Sequence, residues 1–334
     1  MTYLLVASAV TALCALLTTK LLLALTRRYE IVDKSNFRSL HTGSVPRGGG
    51  AAIALTVMAA VLTIHISRSE QGLSFYYPFI IVFGVAVLGV LEDVIGVPVI
   101  LRLGIQIMAG VLLALNPSAV ENSYLMIALL TVSFVWCVNG SNFMDGSDGL
   151  LTSQATLIFG FVAFVAINTV ELTTFAIYPA VMAASCFGFL YWNWQRARIF
   201  LGDVGSYFIG AGFGAMLVCA PQFNVPRAII LILLIPLLTD ATLTVIKRSL
   251  ERKRIWRAHR EHVYQSWILK GVSHRRVAIV LGLAFGGIFA PLGYLALKRP
   301  DLSLMITIIA IALGVFLWLG AMLPLRNKST KIST

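Results

Sequence analysis

Residues 139–150 read NGSNFMDGSDGL, between LLTVSFVWCV (129–138) and LTSQATLIFGFVAF (151–164). Both flanks are continuous apolar runs, which predicts a helix on each side. Between them Asn139, Asn142, Asp145 and Asp148 recur at a spacing of three, with Gly140, Gly146 and Gly149 interspersed. On a helix that spacing makes each polar side chain a neighbour of the next. The glycines let the backbone bend or a ligand approach closely. Carboxylates and carboxamide oxygens are hard ligands suited to Mg²⁺. The plainer reading is a capping loop, with Ser147 or Asp148 heading the next helix. Four such groups at a hydrophobic edge exceed what one cap needs.

The rest of the chain explains the edge. Of 334 residues, 58% are hydrophobic and 12% charged, and mean hydropathy is +0.88. A soluble domain cannot bury so much apolar surface, and a β-barrel would alternate along ~10-residue segments. The expected fold is an all-α polytopic membrane protein of 10 or 11 transmembrane helices, one domain over 1–334, with catalytic loops on the cytoplasmic side. Eleven spans are expected near 3–25, 49–66, 76–91, 101–116, 124–138, 151–168, 175–192, 206–219, 227–244, 277–296 and 302–323. Several are shorter than the ~20 residues that cross a bilayer and should extend into the adjoining loops. Met1–Leu25 reads as a retained first span, because Lys20, Arg27 and Arg28 follow the apolar run and none precedes it. Cys14, Cys137, Cys186 and Cys219 lie in apolar runs without metal-ligand spacing.

The net charge of +12 is distributed by side, so it calls for no nucleic-acid partner. Odd-numbered loops hold Arg27, Arg28, Lys34, Arg38, Arg47, Arg102, Arg196 and Arg198. The basic loop 245–276 adds ten more cations, and the tail adds Arg326, Lys328 and Lys331. Even loops hold only Arg68, Arg227, Lys298 and Arg299. Odd loops therefore face the cytoplasm. Glu70, Glu121, Glu171 and Asp301 fall outside, while Glu30, Asp33, Glu92, Asp93, Asp145, Asp148, Asp203, Glu251 and Glu261 fall inside.

Further clusters share that inner face. LGVLEDVIGVPVILRLGIQ (88–106) puts Glu92 beside Asp93, with Arg102 nine residues on. Adjacent carboxylates repel unless a cation is near, which raises a pKa or recruits a metal. In WNWQRARIFLGDVGSYFIG (192–210), Asp203 stands between Gly202 and Gly205 before an apolar helix. Such a helix start suits an anion or a metal-bound phosphate, or is a simple cap. RAHREHVYQ (257–265) sets His259 and His262 three apart, with Arg257 and Arg260 interleaved. If helical, both histidines share a face, and the arginines favour oxyanions over a divalent metal. A polybasic segment resting on anionic lipid is the alternative. NFRSLHTGSVPRGGG (36–50) reads as a basic phosphate-facing loop or merely the link into the second span.

Together these stretches resemble the polyprenyl-phosphate N-acetylhexosamine-1-phosphate transferase family (glycosyltransferase family 4). NGSNFMDGSDGL is similar to that family's NxxNxxDGxDGL, and FLGDVGS to its F-x-G-D-x-G-S. PLLTDATLTVIKR around Asp240 follows its pattern, and HREHVYQ is most similar to the O-antigen-initiating branch. The resemblance spans Asp33 to Gln265 and departs once, with Glu92–Asp93 where the family usually has Asp-Asp. It implies a Mg²⁺ enzyme, with Mn²⁺ as an alternative ion, at the cytoplasmic face of a bacterial inner membrane. The enzyme would move a sugar 1-phosphate from a UDP-N-acetylhexosamine to undecaprenyl phosphate and release UMP, starting O-antigen or a related lipopolysaccharide glycan. Asp203 would ligate the metal with Asn142. Gly146, Ser147 and Asp148 would meet uridine, Asn193 and Phe200 would lie near the nucleotide, and Asn139 would line the site. Asp93, more than Glu92, would act on the lipid phosphate, with Asp145 as the other candidate. His259, His262, Arg102 and Arg260 would draw charge from the diphosphate. Direct in-line transfer is expected over a phospho-aspartate intermediate. A secondary transporter or flippase is the competing class, but the chain shows no repeat and its acids cluster on one face. Gly210/Gly214 and Gly282/Gly286 are either homodimer motifs or internal helix contacts.

Overall fold

The computed structural model describes residues 2–29, 32–34, 44–67, 73–116, 123–169, 174–223, 225–254 and 259–323. Arg38, Arg68, Glu30, Glu70, Glu121, Glu171, Arg257 and the tail cations lie outside them. The helices are α1 (Thr2–Arg28), α2 (Gly50–Ser67), α3 (Leu73–Ile95), α4 (Val99–Ala114), α5 (Tyr124–Met144) and α6 (Leu150–Thr169). Then follow α7 (Thr174–Asn193), α8 (Gly202–Cys219), α9 (Arg227–Leu250), α10 (Val263–Leu269), α11 (His274–Ala284), α12 (Ala290–Lys298) and α13 (Ser303–Met322). A π-helical turn at Phe285–Phe289 joins α11 to α12, so the two form one apolar unit. The chain is an all-α polytopic membrane protein. Among the described residues nine helical segments are long and apolar enough to cross a membrane, while Gly50–Ile64 and Val99–Ala114 are shorter apolar helices. Each of these segments falls on an expected span, and nine of them are long enough to count as crossings.

The differences are at the ends, and they matter for function. Among the spans that run further than hydropathy suggests are three that carry the polar clusters. Helix α3 continues through Glu92 and Asp93, α5 through Asn139 and Asn142, and α8 begins at Gly202. Polar residues there lower the hydropathy, yet the backbone stays helical because neighbouring segments satisfy those side chains.

Helix α8 is the axis of the bundle. Every residue from Gly202 to Cys219 except Asp203 is buried, and the helix packs against α2, α3, α5 and α9. Lipid is as apolar as a leucine side chain, so close van der Waals packing must hold such a helix. Its glycines permit that approach. A Cβ on Gly210 would fall 2.6 Å from the Cys137 carbonyl oxygen, and one on Gly214 would meet Phe134. The Gly210/Gly214 pair is thus an internal contact with α5. Phe159 stacks on Phe213 with ring centroids 4.6 Å apart and carries the same core toward α6. The large exposed apolar side chains lie largely on outer faces, such as Leu13, Leu17 and Leu21 on α1 and Ile308 and Phe316 on α13. In a bilayer those faces meet lipid.

One feature falls outside an all-helical expectation. Val32–Lys34 (β1) pairs antiparallel with Ser44–Pro46 (β2). From β2 the chain is laced onto the approach to α8. Phe200 N donates to Pro46 O, Gly49 N to Phe200 O and Gly50 N to Leu201 O, each at 2.8 Å. That ladder brings Arg47 to the start of α8.

Candidate active site

The start of α8 is held by a carboxylate from α3. Asp93 Oδ1 accepts from Asp203 N and Oδ2 from Val204 N, both at 3.0 Å. Gly202 turns the chain at φ 77°, and a Cβ there would fall 2.7 Å from Asp93 Oδ2. The anion that the helix start attracts is therefore the protein's own Asp93. Arg47 closes the group, with Nε 2.8 Å from Asp93 Oδ1 and Nη2 2.7 Å from Asp203 Oδ2. Asp203 Oδ1 accepts from Asn142 Nδ2 at 2.5 Å, and that same amide nitrogen lies 3.0 Å from Ser206 Oγ. Asp93, Asn142 and Asp203, which come from α3, α5 and α8, thus form one connected cluster through Arg47.

The expected helical row 139–142–145–148 breaks after Met144. Asp145 is the C-terminal cap of α5, and Asp148 lies in a turn that Gly149 closes at φ 67°. Asn139 gives its amide to Gln106 Oε1 (2.6 Å) and Val135 O (2.8 Å). Asp145 is half-buried, and its carboxylate takes no hydrogen bond or ion pair among the described residues. Its pKa is held well above the ordinary carboxylate value, first by burial and then by the negative charge of Asp203, against the opposing pull of Arg47. Asp93 and Asp148 add to the same repulsion.

Glu92 turns the other way from Asp93. It accepts from Val97 N at 2.6 Å and pairs with Arg102 at 2.5 Å, closing the α3–α4 turn. Arg102 also donates to Tyr207 Oη at 3.1 Å. Asn193 is buried and fully engaged. Its Oδ1 accepts from Gly149 N (3.1 Å) and Thr152 Oγ1 (3.0 Å), and its Nδ2 donates to Ile199 O (3.1 Å). It clips the 146–149 turn to the 197–200 loop. The left-handed turn at Arg196 (φ 57°) precedes Ala197, whose N–H donates to Asp148 Oδ2 at 3.1 Å. Asp148 N donates to His274 Nδ1 at 3.0 Å. Ser147 is buried and its hydroxyl has no hydrogen-bond partner among the described residues. Phe200 is half-buried beside them.

The histidine segment is not a helix from its first residue. His262 caps α10, which starts at Val263. The two imidazoles still meet, with ring centroids 4.8 Å apart. His262 is buried, stacked on Phe143 and Tyr264 with centroids 5.9 Å away in each case. Tyr264 Oη donates to Phe143 O (2.9 Å) and accepts from Gly146 N (3.1 Å), which fastens this segment to the Asp145 turn. Asp240 anchors it from α9, accepting from Val263 N (2.9 Å), Tyr264 N (3.3 Å) and Trp318 Nε1 (3.1 Å). At 3.8 Å, His262 Nδ1 is too far from Asp240 for a hydrogen bond. Burial first, and then the charges of His262 and Arg248, lower the His259 pKa to about 4. Its Nδ1 accepts from Glu261 N at 3.3 Å, so neutral His259 carries its proton on Nε2. Arg260 is half-buried between them. Glu261 is paired to Arg248 and to Lys253, which orders the basic loop from α9.

This geometry coincides with the family match. Residues 75–220, which carry every acid of the cluster, match the model described as glycosyl transferase family 4. Over those residues the chain is similar to that family. It is 27% identical, over 98% of its own length and 94% of the relative's, to a protein of Bacillus subtilis named "Probable undecaprenyl-phosphate N-acetylglucosaminyl 1-phosphate transferase". It is 28% identical to the decaprenyl-phosphate N-acetylglucosaminephosphotransferase of Mycobacterium leprae, over 78% of this chain and 76% of that one. It is 27% identical to the phospho-N-acetylmuramoyl-pentapeptide-transferase of Halalkalibacterium halodurans, over 72% and 81%.

Several residues of this cluster escaped the sequence reading. Arg47 is the first, 156 positions from its partner Asp203; its only local signal is a cation just before three glycines. Tyr264 and His274, which fasten the 145–149 turn, give no local signal. Among the described residues no group of three or more His, Cys, Asp or Glu side chains is arranged to hold a metal. The oxygen donors that a metal ion could use here are those of Asp203 and Asn142, with the Asp145 carboxyl close enough to feel the charge of Asp203. Such a set fits Mg²⁺, which keeps waters and substrate phosphates in its shell and needs only one or two carboxylates.

Proposed function

We propose that the chain transfers an N-acetylhexosamine 1-phosphate from a UDP-sugar to a polyprenyl phosphate, undecaprenyl phosphate in particular, at the cytoplasmic face of a bacterial inner membrane. The observation that carries this reading is the cluster of Asp93, Asn142, Asp203 and Arg47 at the head of α8, with the Asp145 turn and the histidine segment fastened beside it. The relatives' names, which specify polyprenyl-phosphate sugar 1-phosphate transfer, support the same chemistry. Asp203 and Asn142 would hold Mg²⁺, with Mn²⁺ as a substitute. That ion, when bound, neutralises charge on the donor diphosphate.

The chain's own residues supply the rest. An oxygen of the acceptor phosphate attacks the β-phosphorus of the donor in line, and the bond to the α-phosphate oxygen breaks, releasing UMP. Any proton on the acceptor phosphate passes to Asp145, whose carboxylate takes no hydrogen bond among the described residues and whose raised pKa suits a base. Asp93 is committed to the α8 amides and Arg47, so we place it as the residue that positions Asp203. His259 donates Nε2–H to a phosphate oxygen as a neutral group, beside His262 and Arg260. Ser147, whose hydroxyl has no hydrogen-bond partner among the described residues, faces the nucleotide together with Gly146 and Asp148, and the Phe200 ring stacks on uracil. Asn193, Asn139, Glu92 and Arg102 shape the walls.

The pathway reading is initiation of O-antigen or a related lipid-linked glycan. UMP release in detergent from UDP-N-acetylglucosamine, UDP-N-acetylgalactosamine and 6-deoxy analogues, with and without undecaprenyl phosphate and Mg²⁺, tests the activity and names the sugar. Release that requires both additions is expected. Transport of an intact lipid or sugar without UMP release would favour the transporter class.

A further inference from the structure

Arg47 stands where a divalent ion would have to compete. Asp203 has both oxygens engaged, Oδ1 by Asn142 at 2.5 Å and Oδ2 by Arg47 Nη2 at 2.7 Å. The Arg47 Nε is separately tied to Asp93 Oδ1 at 2.8 Å. Asp93 is itself fixed by the two α8 amides. The guanidinium is therefore anchored on one carboxylate and shared with the other. Its side chain is 38% exposed against 10% for Asp93, so the guanidinium is the solvent-facing member of the pair. Gly48 follows Arg47 at φ 86°, and its backbone packs against Gly202, where a Cβ would fall 3.0 Å from Gly48 N.

We propose that Arg47 is a built-in counter-ion of the Asp93–Asp203 pair, which competes with a divalent cation for Asp203 and so sets the affinity of the metal. The proposal rests on Asp203 being the metal ligand. With Arg47 in place, two carboxylates share one positive charge, and the site is held together whether or not a metal is bound. An incoming cation displaces Nη2 from Asp203, while Nε keeps its hold on Asp93. The displaced guanidinium edge then stays beside the site, where a phosphate oxygen of the substrate can take it up. Without Arg47 the pair repels, and a divalent ion becomes the main source of neutralisation.

The test is Mn²⁺ binding to the purified full-length protein, read by electron paramagnetic resonance of the free ion, with melting curves in chelator and in Mn²⁺. Arg47→Gln should bind Mn²⁺ about tenfold more tightly than wild type, the scale of removing one like charge from a partly buried site. It should also melt lower in chelator and gain more from Mn²⁺. Arg47→Lys keeps the charge and should stay near wild-type affinity, which guards against a folding defect in the first variant. Unchanged or weaker Mn²⁺ binding in Arg47→Gln, with binding lost in Asp203→Asn, overturns the counter-ion proposal and leaves the metal assignment standing. Wild-type binding in Asp203→Asn removes the assignment underneath it and the proposal with it.

Discussion

The carboxylate of Asp93 receives the backbone N–H of Asp203, with the next amide, Val204 N, on its other oxygen. One acidic residue thus fixes the position of the other by holding the turn of helix from which it projects. The two charges tolerate each other because Arg47 lies between them.

Asp93→Asn should therefore lower stability as well as activity. The substitution keeps one acceptor oxygen, loses the other and leaves Arg47 half-paired. A loss of about 1–2 kcal/mol is expected, the range for a helix cap. UDP-sugar binding should be largely kept. An unchanged melting temperature would remove the capping role, and failed donor binding would move Asp93 into the donor site.

Asp145 gives a pH signature. Its folded pKa lies above its unfolded value, so between the two the folded state holds more protons than the unfolded chain. Stability then falls as pH rises through that window, from the ordinary carboxylate range upward. Asp145→Asn should abolish that fall and melt higher than wild type at neutral pH, while transfer activity drops sharply. Melting curves across pH on both proteins check this. A variant that melts lower than wild type at neutral pH would contradict it.

For His259 the sign is opposite. Its pKa of about 4 lies below the ordinary histidine value, so its stabilising contribution is present above that ordinary value and is lost as pH falls toward 4. Across pH 5–8 it should stay neutral, and it should add no step to the activity profile. His259→Gln, a neutral donor, should retain clearly more activity than His259→Ala. Equal loss in both would argue against a hydrogen-bond donor.

Asn193→Ala should be among the most damaging changes outside the acid cluster. It strips Gly149 N, Thr152 Oγ1 and Ile199 O of their common partner in a buried place. A cost of about 2–3 kcal/mol follows from the unsatisfied groups. Thermal unfolding in detergent measures it, and a near-neutral effect would mean that water replaces the clip.

The spans and the shared side of the acids were legible in the sequence, because hydropathy and charge placement are local properties of a chain. Asn142, Asp145, Asp148, Asp203 and the histidine pair, which their spacing singles out, come together in one neighbourhood of the fold. How they reach it was not legible. Equal spacing suggested one helical face for 139–148, but the helix stops at Met144, where the glycine-rich turn takes over. Asp93 reads as a free carboxylate until α8 is seen to end on it. Asn193 reads as a nucleotide contact until its three partners are in place. Arg47 has no signature of its pairing beyond a basic stretch and its glycines, since a contact between the link before α2 and helices α3 and α8 is written in the packing and not in any window of residues.

The central claim is that Asp203, at the head of α8, holds the ion on which transfer depends. UMP release by Asp203→Ala, measured beside wild type over a Mg²⁺ titration with a melting curve to show that the variant is folded, tests it most directly. The account predicts no turnover above background at any Mg²⁺ concentration. Near wild-type turnover in the folded variant would contradict it.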